Sequence, residues 1–209
     1  MRNSKNNAEI PQPTVDPTDR VASLFAASSE MHARAAESQV GAIAAAATLI
    51  VDSLLAGGKV LSCGNGSSAA DAQYFAAHMQ HRFQRERPGL PAMALTADAA
   101  TLTAIALDEG INAIFAKQIN SLGHPGDVLL TLGIAGTAGN LVAAVETAKE
   151  RQLHLVALTG RDGGAVAQQL RPGDVEVRAP ASEPARILEN HRLVLHCLFD
   201  VIDLQLLGG

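Results

Sequence analysis

One segment of the chain combines residue types suited to an anion: Gly64-Asn65-Gly66-Ser67-Ser68, directly after the run Lys59-Val60-Leu61-Ser62-Cys63. A strand that empties into glycines and hydroxyls and then into a helix leaves unpartnered amides facing the loop. The helix dipole favours negative charge there. The plainer alternative is that the glycines only turn a strand into a helix. Downstream, His78 and His81 stand three apart, a spacing that shares one helical face. His196 would complete a zinc-type set if a subunit interface brought it in; ordinary packing is the competing reading. Arg82, Arg85 and Arg87 form a short basic run. It reads either as a solvated face or as an anchor for an acidic partner or a ligand phosphate. His32, His124, His154 and His191 show no clustering and read as ordinary residues.

The elements that must position these residues follow a regular alternation. Apolar runs at Val60–Cys63, Ala92–Leu95, Val128–Leu132, His154–Leu158 and Val175–Val177 are separated by helical segments. Those segments lie near Ala69–Gln84, Ala100–Leu107, Ala113–Ser121, Asn140–Arg151 and Gly164–Leu170. Short, uniformly apolar strands between helices predict a parallel sheet covered on both faces. Ligands of such sheets sit at the carboxyl ends of the strands, here the loops after the first and third. Two helices precede the sheet, over Val21–Gln39 and on to Leu55, where Gly57-Gly58 stops the second. A long helix from Pro184 to about Leu207 closes the chain. Residues 1–17 are polar and carry three prolines, so they are expected to form a disordered arm ahead of a single domain over 18–209.

Bulk properties narrow the function classes. A chain of 209 residues has length for one full core. It is 47% hydrophobic but only 3% aromatic, which points to close packing of alanine-rich helices rather than aromatic anchors. The net charge of −5, without a basic tail, argues against direct binding of nucleic acid, although not against binding a protein that does so. Cys63 and Cys197 read as two free thiols of a cytoplasmic protein. No signal-peptide core is visible, and the longest apolar stretch, Val40–Val51, is too short for a bilayer. Leu206-Leu207 is either an exposed anchor for a partner or the end of the last helix's core face.

Cys63-Gly64-Asn65-Gly66-Ser67-Ser68-Ala69-Ala70-Asp71-Ala72-Gln73 resembles the sugar isomerase (SIS) domain family. So do Glu86–Pro91, Gly126–Leu130, Ala157–Gly164 and Arg186–Glu189. The resemblance spans about Val21 to Leu207. It falls in the branch that holds the phosphoheptose isomerases and the DnaA initiator-associating proteins. Leu102–Ala106 with Asp108, and Ala116-Lys117-Gln118 with Leu122-Gly123-His124, lean toward the second of these. The family implies a three-layer, flavodoxin-like α/β fold around a five-stranded parallel sheet, preceded by helices. It also implies a homotetramer with ligand sites between subunits.

What the resemblance implies for chemistry is mixed. The isomerases carry a histidine and a glutamate one helical turn apart, and later a glutamine and a histidine. The matching positions here are Tyr74, His78, Leu188 and His196. A family aspartate is Ala185. Tyr74, His78 and His196 are therefore the candidate catalytic set, with histidine as base and tyrosine as acid. Interface packing is the alternative. His78 and His196 are the candidate zinc ligands, zinc being expected only of an isomerase. The hydroxyl cluster that the family aims at a phosphate is reduced to Thr137 within Gly133-Ile134-Ala135-Gly136-Thr137-Ala138. Each missing donor costs about 1–3 kcal/mol toward a charged acceptor. Asn65, Gly66, Ser67, Ser68, Asp98 and Thr137 form the expected ligand-binding set, although a capping role for Asp98 fits equally.

These departures lead to an expected non-enzyme: a homotetramer like the initiator-associating proteins, promoting assembly of a DnaA-type replication initiator by multivalency. Leu206 and Leu207 are its candidate partner-binding residues, and its phosphosugar site is degenerate. The alternatives are an isomerase of sedoheptulose 7-phosphate and a non-catalytic phosphosugar sensor.

Overall fold

The computed structural model describes residues 15–208, so most of the expected arm lies outside the described residues. The first helix, α1 (Pro17–Ser38), starts earlier than its periodicity predicts. Asp16 accepts from Thr18 N at 2.7 Å and Pro17 supplies a first-turn φ, so cap chemistry sets the start. α2 (Val40–Leu55) follows at once. The sheet is parallel throughout, with order β2-β1-β3-β4-β5. Its strands are β1 (Val60–Gly64), β2 (Ala92–Ala94), β3 (Val128–Leu132), β4 (His154–Thr159) and β5 (Val175–Arg178). Every residue of β1 and β3 is buried, as a strand covered on both faces requires.

Strand side chains alternate between two cores. Val60, Val128, Leu130, Val156 and Leu158 face α2, α3 (Ser67–Gln80) and α8 (Pro184–Leu207), where Phe75 stacks on Phe199. Leu61, Cys63, Leu129 and Leu155 face α5 (Ala116–Leu122) and α6 (Gly139–Glu150). α4 (Ala99–Asp108) and α7 (Gly164–Gln168) complete the layers. Two helices differ from expectation. α3 stops at Gln80 because the carbonyls of its last turn, at His78 and Met79, are taken by Arg87 and by the Leu90 amide. The segment expected as one helix over 113–121 splits into a 3-10 turn (Ile111–Ala113) and α5. Both thiols are free, and burial pushes both above the usual cysteine range. Among the described residues no single helix is long and apolar enough to cross a membrane.

The buried centre of α8 makes stability depend on pH. His191 is fully buried, and its Nε2–H donates to the Thr159 carbonyl at 2.9 Å. Its Nδ1 has no partner among the described residues. Burial lowers its pKa below the ordinary 6.5. The unfolded chain then binds a proton that the folded chain refuses, so stability rises with pH across that window. Melting temperature is expected to fall steadily as pH drops below about 6.5. His191→Gln, which keeps a donor for Thr159, should flatten that slope. An unchanged slope would assign the acid sensitivity elsewhere.

Candidate functional site

The first loop is built around close backbone approach. A Cβ on Gly64 would stand 2.5 Å from the Ser68 carbonyl oxygen, and Gly66 holds φ at +56°. Only glycine suits both demands. Gly64→Ala is therefore expected to cost about 1–3 kcal/mol by overpacking and to displace the start of α3. Urea unfolding and ligand binding measure the two effects, and a fully stable variant would contradict the contact. Beyond the turn, Asn65 and the buried Asn140 exchange two amide hydrogen bonds of 2.8 Å. This pair locks the loop after β1 to the first turn of α6, across the point where strand order reverses. Asn140 was not among the expected site residues.

Between these elements lies a hollow of about 210 Å³ lined by Asn65, Ser68 and the loop Gly133–Ala138, which includes Thr137. Among the described residues no side chain caps α6, and Ala138 and Leu141 at its start line the hollow, a placement compatible with an anion although hydroxyls are few. Gly136 and Gly164 pack backbone to backbone, which braces this loop against α7.

On the other side of the α3 N-terminus is an open cleft of about 580 Å³ between α1, α3 and α8. Ser67 lines it while its neighbour Ser68 lines the hollow, so consecutive residues serve two spaces. His196 lies at its edge, with Nε2 3.1 Å from the Tyr74 hydroxyl. Burial, the Arg192 cation and His78 all lower the His196 pKa, so its ring is neutral near pH 7. Buried Asp71 pairs with Arg192, and desolvation raises its carboxyl pKa against the pull of that cation. His78 sits edge-on to Tyr74 with ring centroids 4.3 Å apart, enclosed by Phe83 and Phe199. Its Nδ1–H donates to the Arg82 carbonyl at 2.9 Å, which leaves Nε2 as the basic nitrogen. The expected catalytic trio is thus gathered by two adjacent helices.

Residues 24–160 match the family described as the SIS domain. The chain belongs to the SIS domain family. A phosphoheptose isomerase from Thiobacillus denitrificans is 49% identical over 190 residues, 91% of this chain and 96% of that protein. The solved phosphoheptose isomerases from Neisseria gonorrhoeae and Francisella tularensis are 44% and 43% identical, with TM-scores of 0.86 and 0.88. Each match covers 90% of this chain and 99% of the other. These similarities correct the expected branch. These relatives, each matching 90% or more of this chain at 43% identity or above, are named as phosphoheptose isomerases, which overturns the initiator-associating reading and the expectation of a non-enzyme.

The remaining expected residues of this SIS domain fall elsewhere. Asp98 caps α4, accepting from Ala100 N, Thr101 N and the Thr101 hydroxyl. Those bonds hold its carboxyl pKa low, and it lines a separate cleft with Lys117 and Gln118. His81 is exposed beyond the end of α3 and does not join His78. Among the described residues no three His, Cys, Asp or Glu side chains gather as a metal set. Two imidazoles fall short of the three or four protein ligands that zinc sites use. The donors of one chain thus do not fit zinc, and no chemical step is assigned to a metal. The basic run divides: Arg82 pairs with Glu86, Arg85 donates to the Gly208 carbonyl, and Arg87 is buried against Asp203. Leu206 packs on the core while Leu207 remains exposed.

Proposed function

We propose that this SIS domain is a phosphoheptose isomerase, converting sedoheptulose 7-phosphate to the corresponding aldose phosphate. The observation that carries the reading is the Tyr74–His196 hydrogen bond beside an open cleft, with the imidazole neutral near pH 7. Isomerisation needs a base for a proton beside a carbonyl and an acid for the oxygen. His196 takes the proton from the carbon next to the ketone. The C–H pair becomes the C=C bond, the carbonyl pair moves to oxygen, and that oxygen takes the Tyr74 proton. The other hydroxyl then returns its proton to Tyr74 as its C=O forms. The C=C pair collects the proton from His196 at the former ketone carbon. Protons and electrons balance without a second reactant. The phosphate is held at the hollow over α6 by backbone amides, Ser68 and Thr137.

The homotetramer implied by the family is part of the same proposal. In the single chain α4 buries none of its residues, and Leu107 and Ile111 are exposed, a face that a second copy would cover. Light scattering on purified protein measures it.

The decisive assay is turnover of sedoheptulose 7-phosphate, with and without added zinc. Turnover above blank that disappears in His196→Ala supports the reading. No turnover in either condition retires it for this substrate.

A further inference from the structure

Arg192 is the cation of the histidine cleft, and the proton transfers above leave it unused. It lies one turn before His196 on α8, on the same helical face. Its guanidinium carbon stands 3.9 Å over the centroid of the Tyr74 ring. Nη2 donates to the buried carboxylate of Asp71, its one hydrogen bond among the described residues. Most of its five donors are therefore uncommitted, and the side chain is 39% exposed. A carboxylate bound to one nitrogen and an aromatic ring beneath the plane fix the group before any ligand arrives. The other acid lining the cleft, Glu189, is already held by Ser28 and Arg186. Leu188 and Leu193, also in the lining, offer no donors.

We propose that Arg192 is a further catalytic residue of this isomerase. Its free N–H groups hydrogen-bond the substrate oxygen that gains charge as the enediolate forms. Asp71 and Tyr74 act as the groups that position it. The proposal rests on the isomerase reading. The carbonyl π pair moves to oxygen while the C–H pair forms the C=C bond, so negative charge appears on one atom beside the base. Fixed donors at such a point stabilise the transition state more than the ground state. Arg192 stays protonated throughout and transfers no proton, which separates its role from those of Tyr74 and His196.

The test begins with the wild-type protein, because absence of turnover there removes the isomerase reading and this proposal together. With turnover established, Arg192→Ala should lower kcat about 100- to 1000-fold. KM should stay within about threefold, because the interaction is made only in the transition state. Added guanidinium ion should restore part of the lost kcat in Arg192→Ala but not in His196→Ala. Asp71→Asn should give a smaller loss of kcat in a folded protein. Arg192→Lys, which keeps the charge and loses the fork, should recover little. It also serves as the variant to read if the alanine form fails to fold. Retained kcat in either folded Arg192 variant would show that Arg192 has no part in the chemical step, and a rise in KM alone would show that it only binds substrate; either result would overturn the proposal.

Discussion

Replacing His196 by alanine is expected to lower kcat for sedoheptulose 7-phosphate by about two to four orders of magnitude, the usual range for a positioned general base. The fold should survive, because His196 is only half-buried and its one hydrogen bond among the described residues is to the Tyr74 hydroxyl. The pH profile gives a second readout. The base form is the neutral ring, and burial, Arg192 and His78 all hold its pKa below the ordinary 6.5. Activity should therefore persist into mildly acidic solution and fall only as pH drops through that lowered value. The corresponding limb should vanish with the side chain. Tyr74→Phe, which keeps the ring beneath Arg192 and removes only the hydroxyl, should retain substrate binding and lose kcat. An unchanged kcat in His196→Ala would place the base elsewhere, with the free Nε2 of His78 as the next candidate.

Much of the architecture was legible because its signals are local. β3 and α8 have the bounds that the residues predict. The strand is an uninterrupted apolar run, and the helix opens on Pro184 and ends before Gly208. The end of α3 was not legible. Its determinant is Arg87, whose carboxylate partner lies 116 residues away. For the same reason a basic run read as a solvated face or an anchor contains a buried ion pair. Asn140 was missed because its importance depends on Asn65, 75 residues distant. Arg192 was missed because only the packing of α3 on α8 sets it over Tyr74. The functional expectation failed in a related way. Position by position, Leu188 and Ala185 read as lost chemistry, and Tyr74 with His78 reads as either a reworked pair or interface packing. Folding gathers Tyr74, Arg192, Asp71 and His196 into one polar cluster, and a list of positions cannot show that grouping.

The largest loss of stability should follow from breaking the Arg87–Asp203 pair. The two side chains are 1% and 2% exposed and meet at 2.5 Å. The guanidinium also donates to the carbonyls of Met79 at 2.8 Å and His78 at 2.9 Å. It thereby ties the end of α3, the loop that follows and α8 into one unit. Arg87→Ala leaves a buried carboxylate and the His78 carbonyl without their partner, and the Met79 carbonyl with the Leu90 amide alone. Removing one member of such a pair costs about 3–5 kcal/mol, read as a fall in the urea midpoint at unchanged slope. Arg87→Lys should recover little, because a single ammonium cannot span the carboxylate and both carbonyls. The double change Arg87→Met with Asp203→Leu should cost less than the sum of its parts, since no unpaired charge remains buried. The damage should reach the site as well. The His78 carbonyl that Arg87 holds lies one turn beyond Tyr74, so a loosened α3 end displaces the phenol from His196. Turnover should therefore drop in Arg87→Ala even where the protein is fully folded. A cost below about 1 kcal/mol, the value of an exposed pair, would show that water or a neighbouring group replaces the arginine.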